Sequence, residues 1–237
     1  MRGVFFIQLQ FTSVLLAYGL SMSLSADAKD VNKVLVRKKP PPPDYWPMRL
    51  DYWWKYQTET ADGVKSGFTI KDIADEKQDD KSIWHKLEID SGVSKPIHDW
   101  YVKARGWVLL NREVYVSNGM KCVFAPPKQI LKDPLLKGDT WQWDGTGMMD
   151  AKISETNTVS GPDEIVVPAG KFLAMKVVTQ SVQGGASVTK TYWYAPFIGI
   201  VQAVSESGSV KSTSKLVEYH FPKLQPGEKE LSEPTSD

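Results

Sequence analysis

Three histidines, His85, His98 and His220, are the only imidazoles in this chain of 237 residues, so acid–base or metal chemistry would have to start from them. Asp99 follows His98, and Glu218 stands two residues before His220, which pictures two proton-transfer pairs. Adjacent strand residues point to opposite faces, however, and this separates His98 from Asp99, while Glu218 merely shares a face with His220. His85 falls in the apolar register of Ile83, Leu87 and Ile89 and reads as a packed or hydrogen-bonded histidine. None of the three has a His, Cys or Glu at metal-ligand spacing, so neither a metal nor a cofactor is expected. A G-x-S-x-G nucleophile elbow is absent, and Gln183-Gly184-Gly185-Ala186 leads into a strand as a hairpin turn would. Cys122, the single cysteine, sits between Lys121 and Val123-Phe124 and reads as a small buried hydrophobe. The charged run from Asp75 to Lys81 lacks the glycine and distal glutamate of a calcium loop and reads as a solvated loop. The expectation is a chain without catalytic residues. The enzyme alternative uses His85 or His98 with a carboxylate and requires them to meet directly, or through one water, in a cleft.

Aromatic side chains are the other carriers of chemistry. Nine tryptophans and nine tyrosines are available to line a surface for an acyl chain, a hydrophobic peptide or stacked sugar rings. Some of them recur at fixed spacing. Pro47, Trp54 and Tyr56 are echoed by Pro134, Trp141 and Trp143, while Trp100-Tyr101, Gly106 and Val108 are echoed by Trp193-Tyr194, Gly199 and Val201. Duplicated packing needs duplicated anchors, so Trp54, Trp100, Trp141 and Trp193 read as core anchors of a repeated unit. Tryptophans outside the echo are the better ligand-binding candidates. These are Trp84, whose register opposes the Ile83 face, and Trp107, which stands where the second half has Ile200.

The elements that would position these residues are strands. Ile83, His85, Leu87 and Ile89 alternate with Trp84, Lys86 and Glu88, and Leu173, Met175 and Val177 alternate with Phe172, Ala174 and Lys176. Turn chemistry separates the runs at Ala61-Asp62-Gly63, Arg105-Gly106, Asp144-Gly145, Gly184-Gly185 and Ser207-Gly208. Asp133-Pro134 opens a connection to a strand at Thr140, and a short helical turn near residues 128–131 is the only helix expected. The fold class is mostly β. Two repeated β-meanders, residues 45–117 and 132–221, would join into a curved antiparallel sheet, a partly closed barrel or an open half-barrel with one buried face.

The ends carry different information. Arg2, an apolar run from Val4 to Leu20 and the sequence Ala26-Asp27-Ala28 have the layout of a secretory signal over residues 1–28, with cleavage after Ala28. Residues 29–43 form a basic, proline-rich linker, residues 44–222 the β domain and residues 223–237 a polar tail too poor in apolar side chains to order itself. Lys and Arg number 29 against 28 Asp and Glu, a balance that implies no nucleic-acid partner. No segment after the signal is apolar enough for a transmembrane helix.

Tyr45-Trp46-Pro47-Met48 with Trp54-Lys55-Tyr56, the run from Pro134 to Trp141, Val167-Pro168-Ala169-Gly170-Lys171-Phe172, and Trp193-Tyr194-Ala195-Pro196 with Ile198-Gly199-Ile200-Val201 together carry a resemblance. They resemble exported bacterial domains of unknown function, among them TapB-like proteins, which are similar in shape to the half-barrel of the lipoprotein carriers LolA and LolB. That resemblance implies an exported β protein and an apolar cavity under a curved sheet, and it supplies no catalytic residue. Asp51-Tyr52 departs from it where the second half has Gly138-Asp139. The expected function is a non-catalytic binding or assembly module of the bacterial envelope, periplasmic or extracellular, for an apolar ligand or an envelope protein. A carbohydrate-binding module using exposed aromatics is the alternative.

Overall fold

The computed structural model describes residues 41–222, so the signal, most of the basic linker and the tail lie outside the described residues. Twelve strands follow in order: β1 (Trp53–Thr60), β2 (Lys65–Lys77), β3 (Ile83–Asp90), β4 (Ile97–Ala104), β5 (Trp107–Tyr115), β6 (Met120–Lys132), β7 (Thr140–Thr146), β8 (Lys152–Val167), β9 (Gly170–Gln183), β10 (Ala186–Ala195), β11 (Gly199–Ser207) and β12 (Val210–His220). Each pairs antiparallel with the next, and β1 closes on β12 from Trp53↔His220 to Thr60↔Ser212. The mostly β expectation holds, but the sheet is a closed barrel and not an open half-barrel. Once twist brings the first strand beside the last, pairing them satisfies two rows of backbone groups that an open sheet would leave bare.

Local sequence explains the hairpins. Arg105 and Gly106 both take positive φ between β4 and β5, the conformation a two-residue turn of matching twist demands. Asp144-Gly145, expected as a turn, lies inside β7. A Cβ on Gly145 would stand 2.5 Å from the Trp143 ring and 2.8 Å from the Ala125 carbonyl, so this glycine serves a close approach. The expected helical turn at residues 128–131 is part of β6, and the expected loop from Asp75 to Lys81 is shorter, because β2 runs on to Lys77. Both corrections have one cause: cross-strand pairing overrides local polarity and proline content. The only helical element among the described residues is the 3-10 turn Met148–Asp150.

Twelve strands would enclose a lumen unless side chains filled it. Here they do. Tyr45 and Trp46 enter ahead of β1 and pack with Leu87, Val108, Leu131 and Tyr194. Trp46 stacks on Trp54 with ring centroids 6.1 Å apart and planes 7° from parallel. A second cluster joins Trp54 and Tyr56 to Val201 and Leu216, and a third joins Leu110, Phe124 and Trp143 to Ile153 and the buried thiol of Cys122. Leu173, expected on one face with Met175 and Val177, is instead exposed at 61%, because the β8–β9 pairing slips between Ser160 and Asp163 and the hairpin bends there.

The echoed residues fall six strands apart: Trp54 and Tyr56 on β1 against Trp141 and Trp143 on β7, and Trp100-Tyr101 on β4 against Trp193-Tyr194 on β10. A bulge interrupts the ladder between Trp100 and Tyr101, and another does so between Trp193 and Tyr194. The echoed glycines are not equivalent, since Gly106 sits in a turn and Gly199 begins β11.

Candidate functional site

The barrel ladder lapses at one seam. β6 and β7 are paired only at Ala125↔Thr146, whereas β7 is paired to β8 along its whole length. Pro126 and Pro127 have no N–H to donate, and two register shifts against β5, at Val108/Leu109 and Leu110/Arg112, turn β6 aside. Indoles take over from the backbone. Trp141 donates its Nε1–H to the Gln129 carbonyl and Trp143 to the Pro127 carbonyl, both at 3.1 Å.

Over this seam, on the outer face, lies a groove of ≈790 Å³ that brings Trp84 and Trp107 together with Val102, Leu109, Pro126 and Pro127. The register requires this. Trp84 pairs with Val102, Val102 with Leu109 and Ala104 with Trp107, so all of these share the face opposite to the inward Leu87 and Val108. Trp107 stands edge-on to Trp141 at 5.7 Å, with the Lys132 ammonium 5.8 Å from its ring. Asn111, on the groove wall, has a buried Nδ2 with no hydrogen-bond partner. A groove of this volume, aromatic at its centre and bordered by Asp80, Arg105 and Asp144 as well as carboxamides, is within the size range of ligand sites.

The four expected core anchors divide. Trp54 and Trp141 are buried inside the barrel. Trp100 is buried on the outer face instead, beneath the Arg112 guanidinium at 4.2 Å and the Lys86 ammonium at 5.2 Å. Trp193 is half-buried and donates its Nε1–H to Asp163 at 3.1 Å. Repetition therefore preserved these tryptophans without giving them one environment.

The interior holds a polar cavity of ≈160 Å³, below the size of ordinary ligand pockets, lined by Glu113, Lys128, Glu155, Asn157, Lys190 and neighbouring tyrosines. Lys128 bridges to Glu155 at 2.8 Å, and Thr179 donates to Asn157 at 2.6 Å. Asp99 lies close by, 4% exposed, and accepts a hydrogen bond from the Tyr101 hydroxyl at 3.3 Å. Burial, then the charge of Glu113, push its carboxyl up to about 8. Burial also raises Glu113, against the pull of Lys128 and Lys190. Filled and charged, this interior does not resemble the apolar cavity that a carrier-like half-barrel would imply.

Two histidines meet carboxylates. His98 Nε2 lies 3.1 Å from Glu88, on the outer face, while Asp99 points the other way as strand alternation requires. His85 Nδ1 lies 3.0 Å from Asp72 and 2.8 Å from Asp75. Burial lowers the His85 pKa, but its hydrogen bonds to Asp72 and Asp75, with their charges, outweigh burial and lift it to about 9. Burial raises Asp72 in spite of His85. The distance condition of the enzyme alternative is met at His85, which lies outside both the aromatic groove and the interior cavity. Asp72, Asp75 and His85 are also the described residues whose ligand atoms gather closely enough to hold a metal ion. Sequence reading missed them because Asp72 and Asp75 stand three apart on a strand, a spacing that ordinarily sends side chains to opposite faces.

No family model matches the chain, and no curated protein matches it. Solved structures do. A chain from Bacteroides fragilis, described as a candidate exported protein with a YmcC-like fold, superposes with a TM-score of 0.51 at 14% identity, over 76% of this chain and 100% of that one. A candidate lipoprotein from Parabacteroides distasonis gives 0.41 at 12% identity over 76% and 100%, and the hypothetical lipoprotein YmcC of Escherichia coli gives 0.37 at 12% over 73% and 87%. The first of these establishes a shared fold.

Proposed function

We propose that this chain is an exported, non-catalytic binding module of the bacterial envelope, and that its outer groove takes an extended segment of a protein partner. Export is read from the signal layout of residues 1–28. The two six-strand meanders are read as copies of one unit, in line with the bulges at their shared Trp-Tyr pairs. The observation that carries the binding reading is a coincidence of place. Trp84 and Trp107, the tryptophans outside the echo, border the groove above the one seam where the ladder lapses. Strand edges without partners bind extended chains through the backbone, and flanking aromatic pockets select the side chains.

The test uses short linear peptides displayed on phage, selected on the folded chain and counter-selected on a Trp84→Ala/Trp107→Ala variant. The reading expects enriched peptides that lose affinity about ten-fold or more on each tryptophan substitution and lose it again when their own backbone is N-methylated. Enrichment that ignores both tryptophans overturns it. Binding of oligosaccharides to the same tryptophans, without any enriched peptide, replaces it with the carbohydrate-binding alternative.

A further inference from the structure

The β2–β3 hairpin carries a cluster that the groove does not use. Asp72 pairs with Leu87, Ala74 pairs with Lys86 and Asp75 pairs with His85, so Ile73 is an extra residue in β2. That single bulge changes the parity of the strand. Without it Asp72 and Asp75 would face opposite sides; with it both join His85 on the face shared by Leu87 and Tyr101. We infer that Asp72, Asp75 and His85 form a binding site for a divalent first-row transition ion, with zinc the ion best matched to the donors.

Geometry supports this in two ways. Both carboxylates address the same ring nitrogen, Nδ1, at 3.0 and 2.8 Å. One nitrogen holds one proton, which cannot lie straight toward two acceptors at once. A cation would serve all three atoms together: ligands about 2.0–2.2 Å from a tetrahedral zinc stand roughly 3.3–3.6 Å from one another, so both carboxylates need draw back from the imidazole by only a few tenths of an ångström. The second support is Asp72 itself, which is fully buried and whose Oδ1 has no hydrogen-bond partner. The Ala74 N–H also acts on this carboxylate, yet Oδ1 forms no hydrogen bond, and a cation would supply the compensation that burial demands.

Charge and donor type select the ion. The ion replaces the Nδ1 proton, which leaves to solvent on binding, and the two carboxylates with the resulting neutral imidazole sum to minus two, which a divalent cation cancels. Calcium prefers six to eight oxygens and magnesium keeps most of its waters, so an imidazole nitrogen points to zinc, or next to manganese or iron. The Asp75 side chain is 31% exposed, which leaves the outward positions of the ion to water, as in three-ligand zinc sites.

The test loads the full chain, stripped with a chelator, with zinc chloride under isothermal titration and with cobalt chloride under visible absorption spectroscopy. The expected result is one equivalent of zinc per chain, cobalt d–d bands of a nitrogen–oxygen site, and a Tm raised by roughly 5–10 °C at a hundred-fold excess over Kd. Asp75→Asn, at the partly exposed ligand, should keep the near-ultraviolet circular dichroism of the parent and weaken zinc by about 100-fold or more. His85→Gln should remove the cobalt bands, and His98→Gln should leave them in place. Failure of the folded parent to bind a stoichiometric ion overturns the inference. So does zinc binding that survives both Asp75→Asn and His85→Gln.

Discussion

Six strands apart, the β2–β3 and β8–β9 hairpins each shift register at a bulge and bring their tips to a groove, the first bordered by β6 and β7 and the second by β12 and β1. The second groove, of ≈610 Å³, is lined by Lys65, Lys211, Lys215, Glu59 and Gln57 and lies over a seam with eight residue pairs. Its hairpin is tied down, since the Ala169 N–H donates to the Leu216 carbonyl at 3.1 Å. The first groove is aromatic, and its seam has one pair. Matching side chains behave accordingly. Trp54 and Tyr56 stand on a β1 ladder paired along its length apart from one bulge between Lys55 and Tyr56 and reach to the Ile198 and Ile200 carbonyls, whereas Trp141 and Trp143 bond to the β6 carbonyls beside the gap. The lesson is that one architecture was closed by backbone pairing at one seam and by indoles at the other. The indole-closed seam is the one left with unpaired strand edges beside apolar surface.

The largest way to break this comparison is Trp143→Ala. Loss of an indole 3% exposed, and of its bond to the Pro127 carbonyl, should cost about 3–5 kcal/mol in denaturant unfolding. Hydrogen exchange should then accelerate in β6 and β7 before it does in β1 and β12. Equal acceleration at both seams would show that the two are closed equally well.

A pH series sharpens the contrast between the halves. The position before the shared Trp-Tyr pair is Asp99 in the first half and Tyr192 in the second. Asp99 binds its proton more tightly when folded, at about 8, than in the unfolded chain, where carboxylates titrate near 3.8. The native state therefore holds the extra proton between those values, and Asp99 contributes stability that is whole below pH ~4 and is lost as pH rises to ~8. The loss should amount to a few kcal/mol, at about 1.4 kcal/mol per unit of pKa difference. Asp99→Asn should flatten the profile in that window, and an unchanged slope would assign the dependence elsewhere.

Gly145→Ala should cost about 1–3 kcal/mol by driving a methyl into the Trp143 ring and the Ala125 carbonyl, with loss of the Ala125↔Thr146 pair seen by hydrogen exchange. Thr58, at the matching place in β1, has room for a side chain and shares a hydrogen bond with Ser214 at 2.7 Å. The smallest effects are expected on the surface. Lys211→Ala, in the lysine groove, should change unfolding by less than about 0.5 kcal/mol and leave peptide binding unaltered. A binding loss there would transfer the functional reading to the zipped seam.

Much of this was legible in the chain. Ile83, His85, Leu87 and Ile89 announced β3 and its inward face, and the echoed Trp54 and Trp141 are both buried inside the barrel. Trp84 and Trp107, singled out because they lack a counterpart, fall on one outer groove. Trp100 is buried too, but on the outer face, because an echo reports that a residue is kept and not which side of a sheet it faces. The Asp72–Asp75–His85 cluster was invisible because a bulge is a property of two strands in register, and no residue in β2 marks it.

The sequence by itself determined the β class, the hairpin turns with two successive positive-φ residues and the burial of Cys122, all of which follow from local steric preference and side-chain polarity. Tertiary structure alone decided closure of the barrel, the lapse between β6 and β7, and the meeting of two aspartates on one imidazole nitrogen. These depend on which strands become neighbours and in what register, a choice made by the whole chain in filling its interior and pairing its backbone.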